Sequence, residues 1–181
     1  MAYTISREIG IDMGHRVPTH GSKCANFHGH RYRIIAECAA IALQDQGEQT
    51  DMIVDFGFLK EAMMHYIDRY YDHGLVLYKS DPYLEALIGT SDKYDGTTFE
   101  DAVEVCENIG GYYFEQVKDS YGVLHQPKLM MVNFIPTAER LAEYWAKQLI
   151  QPIKQMSKDR ARLTKITVWE TPNCSAEYVV P

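Results

Sequence analysis

Cys24 stands four residues before His28-Gly29-His30, and the chain then runs on as an apolar, β-prone segment to Ala40. Thiol and imidazole are ligands of transition metals. Three nitrogen ligands with an open fourth position make a catalytic zinc centre, whereas structural zinc fills all four positions, often with thiolates. The third imidazole is His15. In "YTISREIGIDMGH" the residues Ile5, Ile9, Ile11, Met13 and His15 share parity, with Arg7 the exception, so a half-buried strand carries His15 on its apolar face. His28 and His30 share one face of the next strand. If the two strands pair as an antiparallel hairpin, the end of the first lies beside the start of the second and the three imidazoles converge. Gly29, lacking a Cβ, lets the backbones sit close. Two histidines at i and i+2 are equally what a polar strand end carries, and Cys24 is either a fourth ligand closing the site or a reactive thiol beside it.

The elements that must position these groups follow from periodicity. His28, His30, Tyr32, Ile34, Ala36 and Cys38 fall on one face of the second strand, and Arg31, Arg33 and Glu37 on the other. Asp55 is a suitable N-cap for a helix whose buried face is Phe58, Leu59, Ala62, Met63, Tyr66, Ile67 and Tyr70, with His65 out of phase at the surface. Asp72-His73-Gly74 ends it, with the glycine suited to a left-handed cap; by themselves Asp72 and His73 read as polar residues at a helix C-terminus. A second helix starts at Thr137 as N-cap, with Glu139 in its first turn, buries Ala138, Leu141, Ala142, Trp145 and Leu149, and is expected to stop at Pro152. In "LTKITVWET" the residues Ile166, Val168 and Glu170 share parity. A carboxylate ending an apolar row marks either the surface end of the strand or a ligand with adjacent N–H donors. Residues 174–180 are the candidate last strand.

With 181 residues and 46% hydrophobic content the chain suits a single domain. It has no long apolar run and no signal-peptide pattern at its N-terminus, so the expected location is cytoplasmic. The four cysteines, 24, 38, 106 and 174, show no close spacing and read as reduced thiols. A net charge of -7 argues against nucleic acid or an anionic membrane as partner and favours a small molecule.

In chain order, His15, Lys23-Cys24 with His28-Gly29-His30, "IVDF" at 53–56, Asp72-His73, "PTAE" at 136–139 and "WET" at 169–171 together resemble the 6-pyruvoyl-tetrahydropterin synthase superfamily. Within it the likeness is best to the 6-carboxytetrahydropterin synthases of queuosine biosynthesis, because three residues separate Cys24 from His28 where the pyruvoyl-forming branch tends to have five. The likeness covers roughly residues 3–78 and 129–178. It implies an α+β tunnelling fold (T-fold), an antiparallel four-stranded sheet with two helices on one face, assembled as a homo-oligomer, commonly a hexamer made of two trimers. It also implies a zinc-dependent lyase that converts 7,8-dihydroneopterin triphosphate to 6-carboxy-5,6,7,8-tetrahydropterin, releasing acetaldehyde and triphosphate. Residue by residue, His15, His28 and His30 match the zinc ligands, and Cys24 the proton acceptor. Asp72 and His73 match the relay pair, Glu170 the pterin anchor, and Thr137 and Glu139 positions near the pterin pocket. Alternatives are a pyruvoyl-forming synthase, another T-fold pterin enzyme, or a non-catalytic zinc- and pterin-binding module.

Two departures stand out. After Asp72-His73 the family often continues with Leu-Asn, whereas this chain reads "GLVLYKSDPY". Residues 79–128 form an insertion between the helices, with ten Asp and Glu against three Lys ahead of Lys128. Phe99, Ala102, Val103 and Cys106 predict a helix there, broken at Gly110-Gly111 and followed by an aromatic-rich segment. An added subunit contact or surface decoration is favoured over a lid. The acidity points triphosphate binding towards Arg16, Lys23 and Arg31 instead.

Overall fold

Alternation of apolar and polar residues produces two long strands, β1 (Tyr3–His15) and β2 (His28–Ala40). The computed structural model describes residues 2–88, 97–115, 117–118, 121 and 123–181. Contacts group the chain into two compact units, one of Met1–Ile11, Arg31–Arg69 and Ala138–Pro181, the other of Asp12–His30 and Tyr70–Thr137.

In the first unit, helix α1 (Phe56–Met63) starts where Asp55 accepts the Gly57 N–H at 2.6 Å, the expected cap. It continues through a π-helical stretch (Met64–Asp68) and a final turn (Arg69–Tyr71), burying Leu59, Ala62, Met63, Ile67 and Tyr71. β2 pairs antiparallel with the strand Arg162–Thr171, setting Ile34 opposite Val168 and Ala36 opposite Ile166, and that strand pairs antiparallel with Cys174–Val179, the expected last strand. The helix Ala138–Met156 packs on both of these strands, with Leu141, Trp145 and Leu149 fully buried. Truncating a buried aromatic such as Trp145 to alanine costs about 3–5 kcal/mol. Pro152 does not end this helix, contrary to expectation; it lies inside it. The ring removes one N–H, but the turn beyond it carries Ile153 into the core, and Ser157 donates its N–H to the Ile153 carbonyl at 3.0 Å.

The second unit holds most of what the sequence did not announce. Strand β3 (Gly74–Tyr78) pairs parallel with the end of β1, matching Met13 to Gly74 and His15 to Val76. The short helix α2 (Leu84–Ile88) follows. Helix α3 (Phe99–Ile109) starts in a capping box between Thr98 and Asp101 and stops at Gly110, whose φ of 94° is the left-handed conformation that glycine adopts without strain. Next come β4 (Gly111–Phe114) and a two-stranded ribbon of β5 (Val117–Lys118) and β6 (Leu124–His125). β7 (Leu129–Val132) then pairs parallel with β3 and antiparallel with β4. The two remaining strands of the first unit are accordingly β8 (Arg162–Thr171) and β9 (Cys174–Val179), and its helix Ala138–Met156 is α4. The insertion thus forms the expected helix, and the aromatic-rich segment after it is a strand. Leu77, Leu84, Ile88, Ala102, Cys106, Phe114, Leu129 and Met131 make a core of their own.

The strand order is β4-β7-β3-β1-β2-β8-β9. The expected α+β architecture is present, with β1, β2, β8 and β9 as its four strands. The sheet has seven strands rather than four, and it is mixed rather than purely antiparallel, because β3 and β7 run parallel to β1. The residues of β7, Leu-Met-Met-Val, are all buried, as a strand covered on both faces requires.

Candidate metal centre

The antiparallel run of β1 and β2 is visible in three close approaches. A Cβ on Gly14 would lie 3.5 Å from the His28 carbonyl oxygen, one on Gly29 3.0 Å from that of Met13, and one on Gly10 3.7 Å from that of Tyr32. The close approach at Gly29 therefore favours glycine, as its sequence position suggested. This register places His15 beside both β2 histidines. Ring centroids are 4.5 Å apart for His15 and His28, 5.6 Å for His15 and His30, and 5.0 Å for His28 and His30. One nitrogen from each lies within 4.8 Å of the others, with His15 buried and the other two half-buried. His15 Nδ1–H donates to the Pro136 carbonyl at 2.8 Å, and His28 Nδ1–H to the Asn26 carbonyl at 2.9 Å. Each bond fixes a tautomer that leaves Nε2 as the lone-pair atom and holds the ring in orientation. Three imidazoles gathered this closely, two of them fixed in orientation, fit zinc with an open position.

Cys24 sits half-buried in a 3-10 turn (Lys23–Ala25), its carbonyl accepting the Val17 N–H at 2.7 Å. Its sulfur is not among the ligand atoms that lie within 4.8 Å of one another. Burial pushes the Cys38 and Cys106 thiols up to about 12, so both stay protonated in the core. Cys24 is less buried than either. The loop around it is anchored by Arg16. This guanidinium, expected to face triphosphate, is instead buried: it donates to Asp81 at 3.2 Å and lies 4.6 Å from the Tyr83 ring centre and 5.6 Å from that of Phe27. Lys23 and Arg31 are exposed.

Asp72 and His73 form a hydrogen-bonded pair, His73 Nδ1–H donating to Asp72 Oδ2 at 2.8 Å, while Asp72 Oδ1 accepts the Asp12 N–H at 2.9 Å. Burial works to raise the Asp72 pKa, but the Asp12 amide, the His73 ring and Lys128 together outweigh it and hold the carboxyl below its ordinary value. The left-handed residue of this turn is His73, with φ of 56°, and not Gly74 as expected. That conformation costs a non-glycine residue about 1–2 kcal/mol. The His73 N–H donating to the Asp12 carbonyl at 2.7 Å offsets it. Gly74 is needed for a different reason: a Cβ there would meet the Tyr71 carbonyl oxygen at 3.0 Å and that of Lys128 at 3.1 Å.

Glu170 is half-buried near the end of β8, and the fully buried Tyr32 donates its hydroxyl to Glu170 Oε1 at 3.1 Å. Thr137 directly follows Pro136, the residue that orients His15, and is half-buried; Glu139 is exposed in the first turn of α4. Tyr32, Pro136, Asn26, Asp12 and Lys128 were not singled out as functional by sequence. Tyr32 alone had a signal, its parity with His28 and His30; the others act through backbone atoms or across a long sequence separation.

Comparison with known proteins bears on this arrangement. The chain is 27% identical over 172 residues to the 6-carboxy-5,6,7,8-tetrahydropterin synthase of Rickettsia conorii, covering 95% of this chain and 96% of that one. It is 31% identical over 147 residues to the enzyme of the same name from Synechocystis, covering 81% and 96%. Among solved structures, an uncharacterized protein from Wolinella succinogenes superposes with a TM-score of 0.68 at 19% identity, covering 99% of this chain and 98% of that one. The 6-pyruvoyl tetrahydropterin synthase of Plasmodium vivax does so at 0.60 and 17%, covering 98% and 97%. These two likenesses show the fold. A family model described as 6-pyruvoyl tetrahydropterin synthase matches residues 4–180. With nearly every residue inside that match, and the T-fold strands and helices in place, the chain belongs to the 6-pyruvoyl tetrahydropterin synthase family.

Proposed function

We propose that this enzyme is a zinc-dependent lyase of the carboxy-forming branch. It converts 7,8-dihydroneopterin triphosphate to 6-carboxy-5,6,7,8-tetrahydropterin with release of acetaldehyde and triphosphate, in the 7-deazaguanine route to queuosine. The observation that carries this reading is the convergence of His15, His28 and His30, whose nitrogens lie within 4.8 Å of one another. Zinc, when bound there, supplies Lewis acidity towards the oxygens of the substrate side chain. Cys24 accepts the proton from the adjacent carbon. Asp72 holds the His73 Nδ1–H, so His73 Nε2 carries the lone pair that takes up and returns a proton. The His73 side chain is 76% exposed, which leaves it accessible to a ligand. Glu170, oriented by Tyr32, accepts from the pterin's amino and ring N–H groups; Thr137 and Glu139 contribute to pterin binding by the family resemblance. The homo-oligomer is a hexamer, a dimer of trimers, in the cytoplasm.

The test is incubation of the zinc-loaded protein with dihydroneopterin triphosphate and mass identification of the pterin formed. A carboxylate product with acetaldehyde, lost in Cys24→Ala and His73→Ala, supports the assignment. A pyruvoyl product would move the protein to the other branch, and no product at all would make it a binding module.

A further inference from the structure

Lys128, the last residue of the insertion, meets the Asp72-His73 turn from the side opposite Asp12. Its Nζ donates to the Asp72 carbonyl at 2.8 Å, and its own carbonyl accepts the Leu75 N–H at 2.8 Å. The two bonds bracket His73 and Gly74. Gly74 is packed so closely on Lys128 that an added Cβ would lie 3.1 Å from the lysine carbonyl oxygen and 3.2 Å from its Cβ. On the other side Asp12 gives its N–H to the Asp72 carboxylate and takes the His73 N–H on its carbonyl. The turn between them holds a histidine at φ 56°, a conformation that relaxes unless its surroundings fix it.

We propose that Lys128 is a positioning residue: its ammonium, bound to the Asp72 carbonyl, holds the left-handed turn that sets the orientation of the His73 imidazole. The backbone carbonyl of Lys128 would survive any substitution, so the side chain is the separable half of the contact. Its positive charge also lies near the Asp72 carboxylate and favours the ionised form that keeps the His73 proton on Nδ1. One end of the insertion thereby touches the relay pair. This inference rests on the proposed role of Asp72 and His73 in proton transfer.

The experiment compares wild type, Lys128→Met, Lys128→Arg and His73→Ala by kcat and KM for pterin product formation. It adds backbone hydrogen exchange of the peptide spanning residues 70–76. For Lys128→Met a fall in kcat of about tenfold to a hundredfold is expected, with KM changed by no more than about twofold, as for a misoriented catalytic group. Exchange in residues 70–76 rises, and Lys128→Arg restores both values. Wild-type kcat in Lys128→Met, an equal loss in Lys128→Arg, or unchanged exchange would each overturn the proposal. Full activity in His73→Ala, or an inactive wild type, would instead overturn the relay assignment, while the exchange data still report whether Lys128 holds the turn.

Discussion

Replacing Asp72 by asparagine separates the charge of this side chain from its shape. In the native protein one carboxylate oxygen takes the Asp12 N–H and the other takes the His73 Nδ1–H. An asparagine has one acceptor oxygen. If that oxygen stays on Asp12, its NH2 faces His73, which must turn Nδ1 into an acceptor and carry its proton on Nε2, the wrong tautomer for accepting one. Hydrogen bonds to a charged group contribute about 1.5–3 kcal/mol against about 0.5–1.5 for neutral ones, so the variant loses about 1–3 kcal/mol of stability at neutral pH. Turnover falls by about two to four orders of magnitude, the usual contribution of a proton-transferring group. The pH dependence has a fixed sign. Because the Asp72 pKa is lower in the folded protein, the unfolded chain binds the proton more readily. The native advantage is therefore fully present above the unfolded value of about 4, and is lost as pH falls through the folded value. Urea unfolding of both proteins from pH 7 down to about pH 3 should show a gap that closes below about pH 4. A gap independent of pH, with turnover retained in Asp72→Asn, would refute this reasoning.

Three further outcomes are expected. Tyr32→Phe removes the hydroxyl that holds Glu170 and should raise KM by about threefold to tenfold, with kcat little changed, read from initial rates. Asp81→Asn leaves the buried Arg16 without its counter-charge. It should cost about 3–5 kcal/mol, read as a fall in melting temperature of roughly 6–20 °C, whereas a surface pair would shift it little. Gly29→Val places a branched side chain against the Met13 carbonyl and should weaken zinc binding, by competition with a chromogenic chelator, more than Gly21→Val, whose Cβ meets nothing within 4 Å.

Parity along two strands was enough to bring His15, His28 and His30 onto one face, because the side-chain period of a strand leaves no freedom once one face is buried. The Asp55 cap, the break at Gly110 and the final strand were legible for similarly local reasons. The parallel docking of β3 and β7 was not, since nothing local distinguishes "GLVLY" as a sheet extension from a loop after a helix. Pro152 misled because tertiary burial of Ile153 overrode its local preference. The left-handed His73 was hidden by the glycine beside it, whose role is close packing. Arg16 read as a free cation because its counter-ion, Asp81, lies in the insertion. The groups that orient the histidines are carbonyls of Pro136 and Asn26, and a backbone acceptor has no sequence signature.

The most direct measurement is the metal content of the purified protein and of His15→Ala, His28→Ala and His30→Ala, by elemental mass spectrometry after dialysis against trace zinc. The three-imidazole centre predicts about one zinc per wild-type chain and a near-complete loss in each single variant. Zinc absent from the wild type, or retained in all three variants, would contradict it.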